Sequence, residues 1–307
     1  MDKKVKIIIF IIGIIFLFGI ILLIQFEDNE LTKPMINYNE IINNELTNVI
    51  TVENIMEEYY KFHIVKMGTY DIFDIYYTEK DSELYKTKSI DPEKGAKFEF
   101  NNKNSKFYQK LKPNESTIVI YPIFTAAAYS IPGGFYDYFS GNCDESCISN
   151  VSFQNPIIEH RSTGMSTVML QGLGYDFITD IDVDKNPEIL QNYETVILLH
   201  NEYVTKKMFD AITSHPNLIF LSPNALYAEI EVNYDNDTIK LIRGHDYPPG
   251  VSNAFNYEIE ERFHKYEYDV LCLDWKFIKI KNGHHLNCYP DEIIYDNLNI
   301  FLKMKEL

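Results

Sequence analysis

The stretch "TVILLHNEYVTKKMFDAI", residues 195–212, opens as an apolar strand and closes with the periodicity of a helix. His200 and Glu202 lie in the connection between the two, separated by one residue. Imidazole and carboxylate are the side chains that most often move protons in active sites. A plainer role fits the same spacing. Glu202 is then the cap of a helix beginning near Val204, where the dipole favours a carboxylate, and His200 hydrogen-bonds a neighbouring turn.

The elements around this turn decide between site and cap. From Ser116 onward, apolar strands alternate with amphipathic helices, the pattern of parallel βαβ units. Strands are expected at "STIVIYP" (116–122), "YDFITDID" (175–182), "TVILLH" (195–200) and "NLIFLS" (217–222). Helices are expected at "GMSTVMLQGLG" (164–174), ending on Gly174, at "NPEILQNY" (186–193), opening on Pro187, and at "VTKKMFDAITSH" (204–215). Four strands with short crossovers make an α/β domain with a flavodoxin-like parallel sheet. After Asn224 come β-rich additions, hairpin-like segments that include "YDVLCLDWKFIKI" and "HHLNCYP", and then an amphipathic helix, "DEIIYDNLNIFLKM".

Ligands of such sheets bind beyond the carboxyl ends of the strands. Three turns leave strands at that edge: the one holding His200 and Glu202, "FTAAAYS" after the first strand, and "SPNALY" after the last. They present His200, Glu202, Tyr129, Tyr136, Ser222 and Asn224 to one shared space.

The rest of the chain sets the compartment. Ile7 to Ile24 is an uncharged apolar run of 18 residues, preceded by Lys3, Lys4 and Lys6 and followed by Glu27, Asp28 and Glu30. That length spans a bilayer, and the lysines place the N-terminus in the cytoplasm. A cleaved signal peptide is the competing reading. It predicts a shorter apolar core and small residues at the cleavage site, where Gln25, Phe26 and Glu27 stand instead. The expected organisation is a cytoplasmic tail (1–6), a transmembrane helix (7–26), a polar stalk (27–50), a flank that includes β-strands (51–115) and the α/β domain (116–307). Within the flank, "TVENIMEEYYKFH" has helical spacing, "TYDIFDIYYT" is a strand, and residues 91–116 form a polar connection with one more strand.

With a formal net charge of −17, 23 Tyr and 20 Phe, the chain is too aromatic for disorder and too acidic for a nucleic-acid partner. Four cysteines in an oxidising compartment fit two disulfides, and local pairing gives Cys143–Cys147 and Cys272–Cys288. A four-cysteine zinc site is the alternative, although its ligands are usually spaced more tightly. Sequons at Asn114, Asn150 and Asn236 fall where loops or edges are expected.

Several strings, in order, resemble one known family. "HNEYVTKKMFDAI" is similar to the histidine-x-glutamate-tyrosine turn in the C-terminal, glutamine amidotransferase-like domain of the N,N-dimethylformamidase large subunit. "GLGYDFITDIDVD", "LIFLSPNALYAEIEV" and "FTAAAYS" resemble its aspartate-pair strand, its asparagine turn and its alanine-tyrosine loop. The resemblance covers about residues 116–232. It implies an amidohydrolase holding a mononuclear iron through tyrosine and glutamate oxygens. Carried onto this chain, Glu202 is the carboxylate ligand, Tyr129 a tyrosine ligand and His200 a neighbouring base, with Ser222, Asn224 and Tyr136 toward the substrate. No second upstream tyrosine is placed. Leu199 stands where the family has glycine before the histidine, and Val204 where it has tryptophan. Both changes bear on the pocket around the turn.

Other chemistries fit less well. A glutamine amidotransferase needs a cysteine at a strand-to-helix elbow, and none lies at these strand ends. Ser222 is followed by Pro223, which has no backbone N–H to offer. In "RGHDYP", His245 and Asp246 would point to opposite faces of a strand. In "GHHLNC", His284 and His285 fit a turn beside a disulfide. No Gly-rich phosphate loop follows a strand, so nucleotide or flavin binding has no support. Two function classes remain: a membrane-anchored hydrolase of carbon–nitrogen bonds acting on a small amide, and a non-enzymatic surface binding or scaffold protein on the same fold.

Overall fold

The computed structural model describes residues 64–69, 73–78, 97–100, 105–130, 132–154, 164–257, 274–290, 294 and 297–307. The apolar run 7–24, the stalk and the helix expected over 51–63 lie outside them. Among the described residues no helix is long and apolar enough to cross a membrane.

The flank carries a three-stranded antiparallel sheet, β1 (Ile64–Thr69), β2 (Phe73–Thr78) and β3 (Lys97–Phe100), in that spatial order. Strands were expected over 69–78 and once within 91–116, where β2 and β3 lie; β1 was not. The polar connection after it is in part a helix, α1 (Ser105–Leu111). Phe107, Tyr108 and Leu111 recur at helical spacing there, with Leu111 fully buried and the Tyr108 hydroxyl donating to the Gly172 carbonyl at 2.9 Å.

The main sheet contains β4 (Thr117–Tyr121), β6 (Asp176–Thr179), β7 (Thr195–Leu198), β9 (Leu218–Phe220), β12 (Phe277–Ile280) and β13 (Gly283–Leu286), ordered β12-β13-β9-β7-β4-β6. All neighbours are parallel except the β12/β13 hairpin. Taken in chain order, its five parallel strands stand 2-1-3-4-5 across the sheet, the flavodoxin-like order. The central strands are buried on both sides: every residue of β4 is buried.

The fifth parallel strand, β13, was expected only as part of a hairpin. Its sequence, "GHHL", lacks an apolar run. It lies close to β9 at Gly283, where a Cβ would stand 2.0 Å from the Leu218 carbonyl oxygen.

A second sheet, ordered β5-β11-β10-β8, consists of β5 (Val151–Ser152), β8 (Tyr203–Val204), β10 (Ala228–Asn233) and β11 (Thr238–Arg243). Its β10/β11 hairpin agrees with the turn-rich pattern after Asn224, while β8 runs parallel to β10.

The helices are α2 (Ile123–Ala128), α3 (Phe135–Phe139), α4 (Gly164–Gly172), α5 (Asp180–Lys185), α6 (Lys206–Ser214) and α7 (Asn299–Met304). Two of them correct the expectations. "FTAAAYS" is not a loop: its alanines continue α2, and Tyr129 is the C-cap. The strand expected over 175–182 stops at Thr179, because Thr179 and Asp182 form a reciprocal capping box that starts α5. Pro187 opens a 3-10 helix, Pro187–Asn192, and Gly174 follows α4 with φ +85°.

Cys143 and Cys147 form the expected disulfide, which removes the four-cysteine zinc alternative. Cys288 is fully buried and disulfide-bonded, while Cys272 lies outside the described residues. Asn114, Asn150 and Asn236 are all exposed.

Candidate functional site

β7 ends at Leu198, and the turn after it is fastened on two sides. From α2, the Thr125 hydroxyl accepts from the backbone N–H groups of Glu202 at 3.0 Å and Tyr203 at 3.2 Å. From the chain after β9, Leu226 N–H donates to the Asn201 carbonyl at 2.8 Å. Tyr227 and Ala228 donate to the Glu202 carbonyl at 2.9 and 3.0 Å. Burial makes these bonds costly to lose, so the turn has one geometry.

The other anchor, α2, lacks a side-chain cap of its own because Pro122 occupies the N-cap position. The buried Asp180 carboxyl group supplies the acceptor instead, its Oδ2 taking the Phe124 N–H at 2.8 Å. Burial pushes the Asp180 carboxyl well above its usual value, against the backbone donors that favour the charged form.

Glu202 is fully buried and is not a helix cap. Thr205 caps α6 by accepting from Met208 N–H, and Tyr203 and Val204 are strand. The Glu202 carboxylate faces inward instead. Its Oε2 accepts from the Tyr129 hydroxyl at 2.6 Å and stands 3.0 Å from His200 Nε2. Its Oε1 meets His245 Nε2. Beyond Tyr129, the Tyr136 hydroxyl donates to the Tyr129 oxygen at 2.7 Å.

Burial alone would raise the Glu202 carboxyl. The imidazoles of His245 and His200 outweigh it by charge and hydrogen bonding and hold the group below the ordinary carboxylate range. Tyr129 moves the other way. Burial, and then the Glu202 charge beside it, push its phenol well above the usual value. The pair is therefore a carboxylate and a neutral phenol, and only a nearby cation would favour the phenolate.

Four of the six expected residues thus meet: His200, Glu202, Tyr129 and Tyr136. Ser222 and Asn224 are buried at the neighbouring strand end, where the Ser222 hydroxyl donates to Asn224 Oδ1 at 2.9 Å. Among the described residues no hydrogen bond joins that pair to Glu202.

Residues to which the sequence patterns gave no role complete the cluster. Tyr203 stacks on His245 with ring centres 5.5 Å apart, Tyr227 lies 4.7 Å from the same ring, and Tyr289, just past β13, lies 5.5 Å from His200. His245 itself was set aside on the premise of a strand. The strand ends at Arg243, and both His245 and Asp246 have positive φ, 53° and 64°. Asp246 accepts from Gly250 N–H, so only His245 serves the site.

The cluster lies beyond the carboxyl ends of β4, β7 and β13, where the parallel sheet predicts a ligand site. A family model described as N,N-dimethylformamidase beta subunit-like, C-terminal, matches residues 102–264, just over half of the 307. The chain belongs to this family. No curated protein matches it. The family's domain reaches further both ways than the motifs at 116–232 suggested, taking in α1 at one end and the whole β10/β11 hairpin with His245 at the other.

Among the described residues no group of three or more His, Cys, Asp or Glu is arranged to hold a metal ion. Oxygen donors present a different set. Glu202 Oε2, Tyr129 Oη and Tyr136 Oη follow one another at 2.6 and 2.7 Å. Carboxylate and phenol oxygens are a donor chemistry that suits a hard cation.

Proposed function

We propose that this dimethylformamidase-like chain is a membrane-anchored, extracytoplasmic hydrolase of carbon–nitrogen bonds in small amides, working with a bound iron. The contact between Tyr129 and Glu202 supports this reading most directly, because it joins the two expected ligand oxygens at 2.6 Å. Iron at these oxygens would supply a Lewis acid able to polarise an amide carbonyl.

The chain's own residues would do the rest. Glu202, fully buried, and Tyr129, half-buried, would hold the ion. His200 is the proposed general base: with an ion on Oε2 in place of the contact that Nε2 now makes at 3.0 Å, that nitrogen would be left to take a proton from a water beside the substrate. Tyr136, Ser222 and Asn224 are the proposed substrate side.

A specific observation favours a second reading, a non-enzymatic binding or scaffold protein on the same fold. Tyr129, His200 and His245 already surround the Glu202 carboxylate, so the buried charge is compensated without any ion. Metal analysis of the purified full-length chain, paired with an assay for ammonia or amine released from a panel of small amides, separates the two. Near-stoichiometric iron with amine release supports the hydrolase. A folded chain with neither supports the scaffold.

A further inference from the structure

His245 approaches Glu202 from the turn after β11, 43 residues along the chain. That turn is tightly specified. Gly244 has φ +122°, and a Cβ there would lie 2.8 Å from the Ala228 Cα, so no other residue fits without displacing β10. Gly244 N–H donates to the Tyr247 carbonyl at 2.7 Å and Tyr247 N–H returns to Gly244 at 3.0 Å. His245 and Asp246 N–H groups donate to the Ser252 and Val251 carbonyls at 2.8 and 3.0 Å.

The ring emerges into an aromatic enclosure. Tyr203 lies stacked on it, and the centres of Tyr227, Phe139 and Tyr136 are 4.7, 5.6 and 6.5 Å away. One nitrogen, Nε2, points to the fully buried carboxylate, while the side chain keeps 20% exposure. Facing a carboxylate, that nitrogen must carry the proton and donate.

We propose that His245 is a positioning residue of this site. By occupying Oε1 it commits one carboxylate oxygen to the protein and leaves Oε2 as the single oxygen that Glu202 turns to Tyr129 and to a metal. Glu202 then acts as a one-oxygen ligand. Without the donor, the carboxylate is free to rotate or to use both oxygens. This rests on the reading of Glu202 and Tyr129 as metal ligands, and it adds a residue outside the family's histidine-x-glutamate turn.

The test uses two variants of the full-length chain. His245→Phe keeps an aromatic ring in the enclosure but removes the donor. His245→Gln keeps an amide N–H at nearly the reach of Nε2. Iron is added to each, with affinity, stoichiometry and the visible phenolate-to-iron charge-transfer band as readouts. We expect Gln to bind iron within about threefold of wild type, and Phe to bind at least tenfold more weakly, with a shifted band. Phe behaving as wild type overturns the proposal, and so does Gln failing as badly as Phe.

A wild-type chain that takes up no iron sinks the metal reading alone. A crystal structure of His245→Phe then decides the role of His245. A carboxylate that has turned so that its 2.6 Å contact with Tyr129 is lost supports positioning, and one that keeps the contact overturns it.

Discussion

Tyr129 and Glu202 stand 73 residues apart in the chain and are joined by a 2.6 Å hydrogen bond from Oη to Oε2. The bond is made possible by two unrelated turns. One is the C-cap of α2, held by Asp180 at its opposite end; the other is the turn after β7, held by Thr125. Thr125 and Tyr129 belong to the same short segment, so the helix that clamps the backbone of Glu202 also supplies the partner of its side chain.

Tyr129→Phe tests that bond with little change of shape. The ring contact with Tyr136, 4.3 Å between centres, is retained, while a buried carboxylate loses one of its donors. The expected cost is roughly 1–3 kcal/mol in urea unfolding. Iron content should fall in parallel, and a variant that unfolds like wild type and keeps its metal would contradict both roles.

Thr125→Val replaces a hydroxyl by a methyl group of similar size. The acceptor for the Glu202 and Tyr203 N–H groups disappears, at a cost of about 1–3 kcal/mol for a buried donor left unpaired. Thr125→Ser retains the oxygen and should recover most of the loss. Equal destabilisation by Val and Ser would show that the methyl group, and not the hydroxyl, matters.

Asp180 makes stability depend on pH with a defined sign. Its folded value lies well above the ordinary one, so between the two the folded chain keeps a proton that the unfolded chain has released. Stability from this group is full below the unfolded value of about 4 and declines as pH rises through the folded one. Asp180→Asn keeps an oxygen for Phe124 N–H without a charge. Its stability relative to wild type should improve as pH rises above about 4 in parallel urea titrations, and a constant difference would refute the assignment.

The parallel sheet was legible because strands buried on both faces become plain apolar runs, as in "TIVIY" and "TVIL". The expected meeting of His200, Glu202 and Tyr129 followed from one rule about strand ends. Local chemistry hid other features. The capping box of Thr179 and Asp182 lies inside what looked like a continuous strand, and β13 is written in histidines. His245 was invisible for a deeper reason. Its position depends on the register of the β10/β11 hairpin and on two residues at positive φ, neither of which has a hydrophobic period to betray it.

The proposed anchor rests on the charge-flanked apolar run 7–24. Protease added to intact cells should degrade the domain that holds Glu202 and leave a membrane-bound fragment with the original N-terminus. A mature N-terminus mapped to about residue 26 or beyond would replace the anchor with a cleaved signal peptide.

The catalytic proposal meets its hardest test in the turn after β7. Glu202→Gln preserves the shape of the side chain but removes the charge that His200 and His245 face. The preceding strand is buried independently of the site, with Val196, Ile197 and Leu198 each at most 1% exposed, so the fold should survive. The iron should be lost. His200→Ala leaves Glu202 and Tyr129 in place. It should retain iron while turnover of a small amide drops by about 100-fold or more, the usual loss when a general base is removed. The scaffold reading expects otherwise: both variants change stability by a few kcal/mol at most, through a buried charge or cavity, and no metal or activity is there to lose. Glu202→Gln that keeps full iron, or His200→Ala that turns over amide at the wild-type rate, removes these two residues from the chemistry assigned to them.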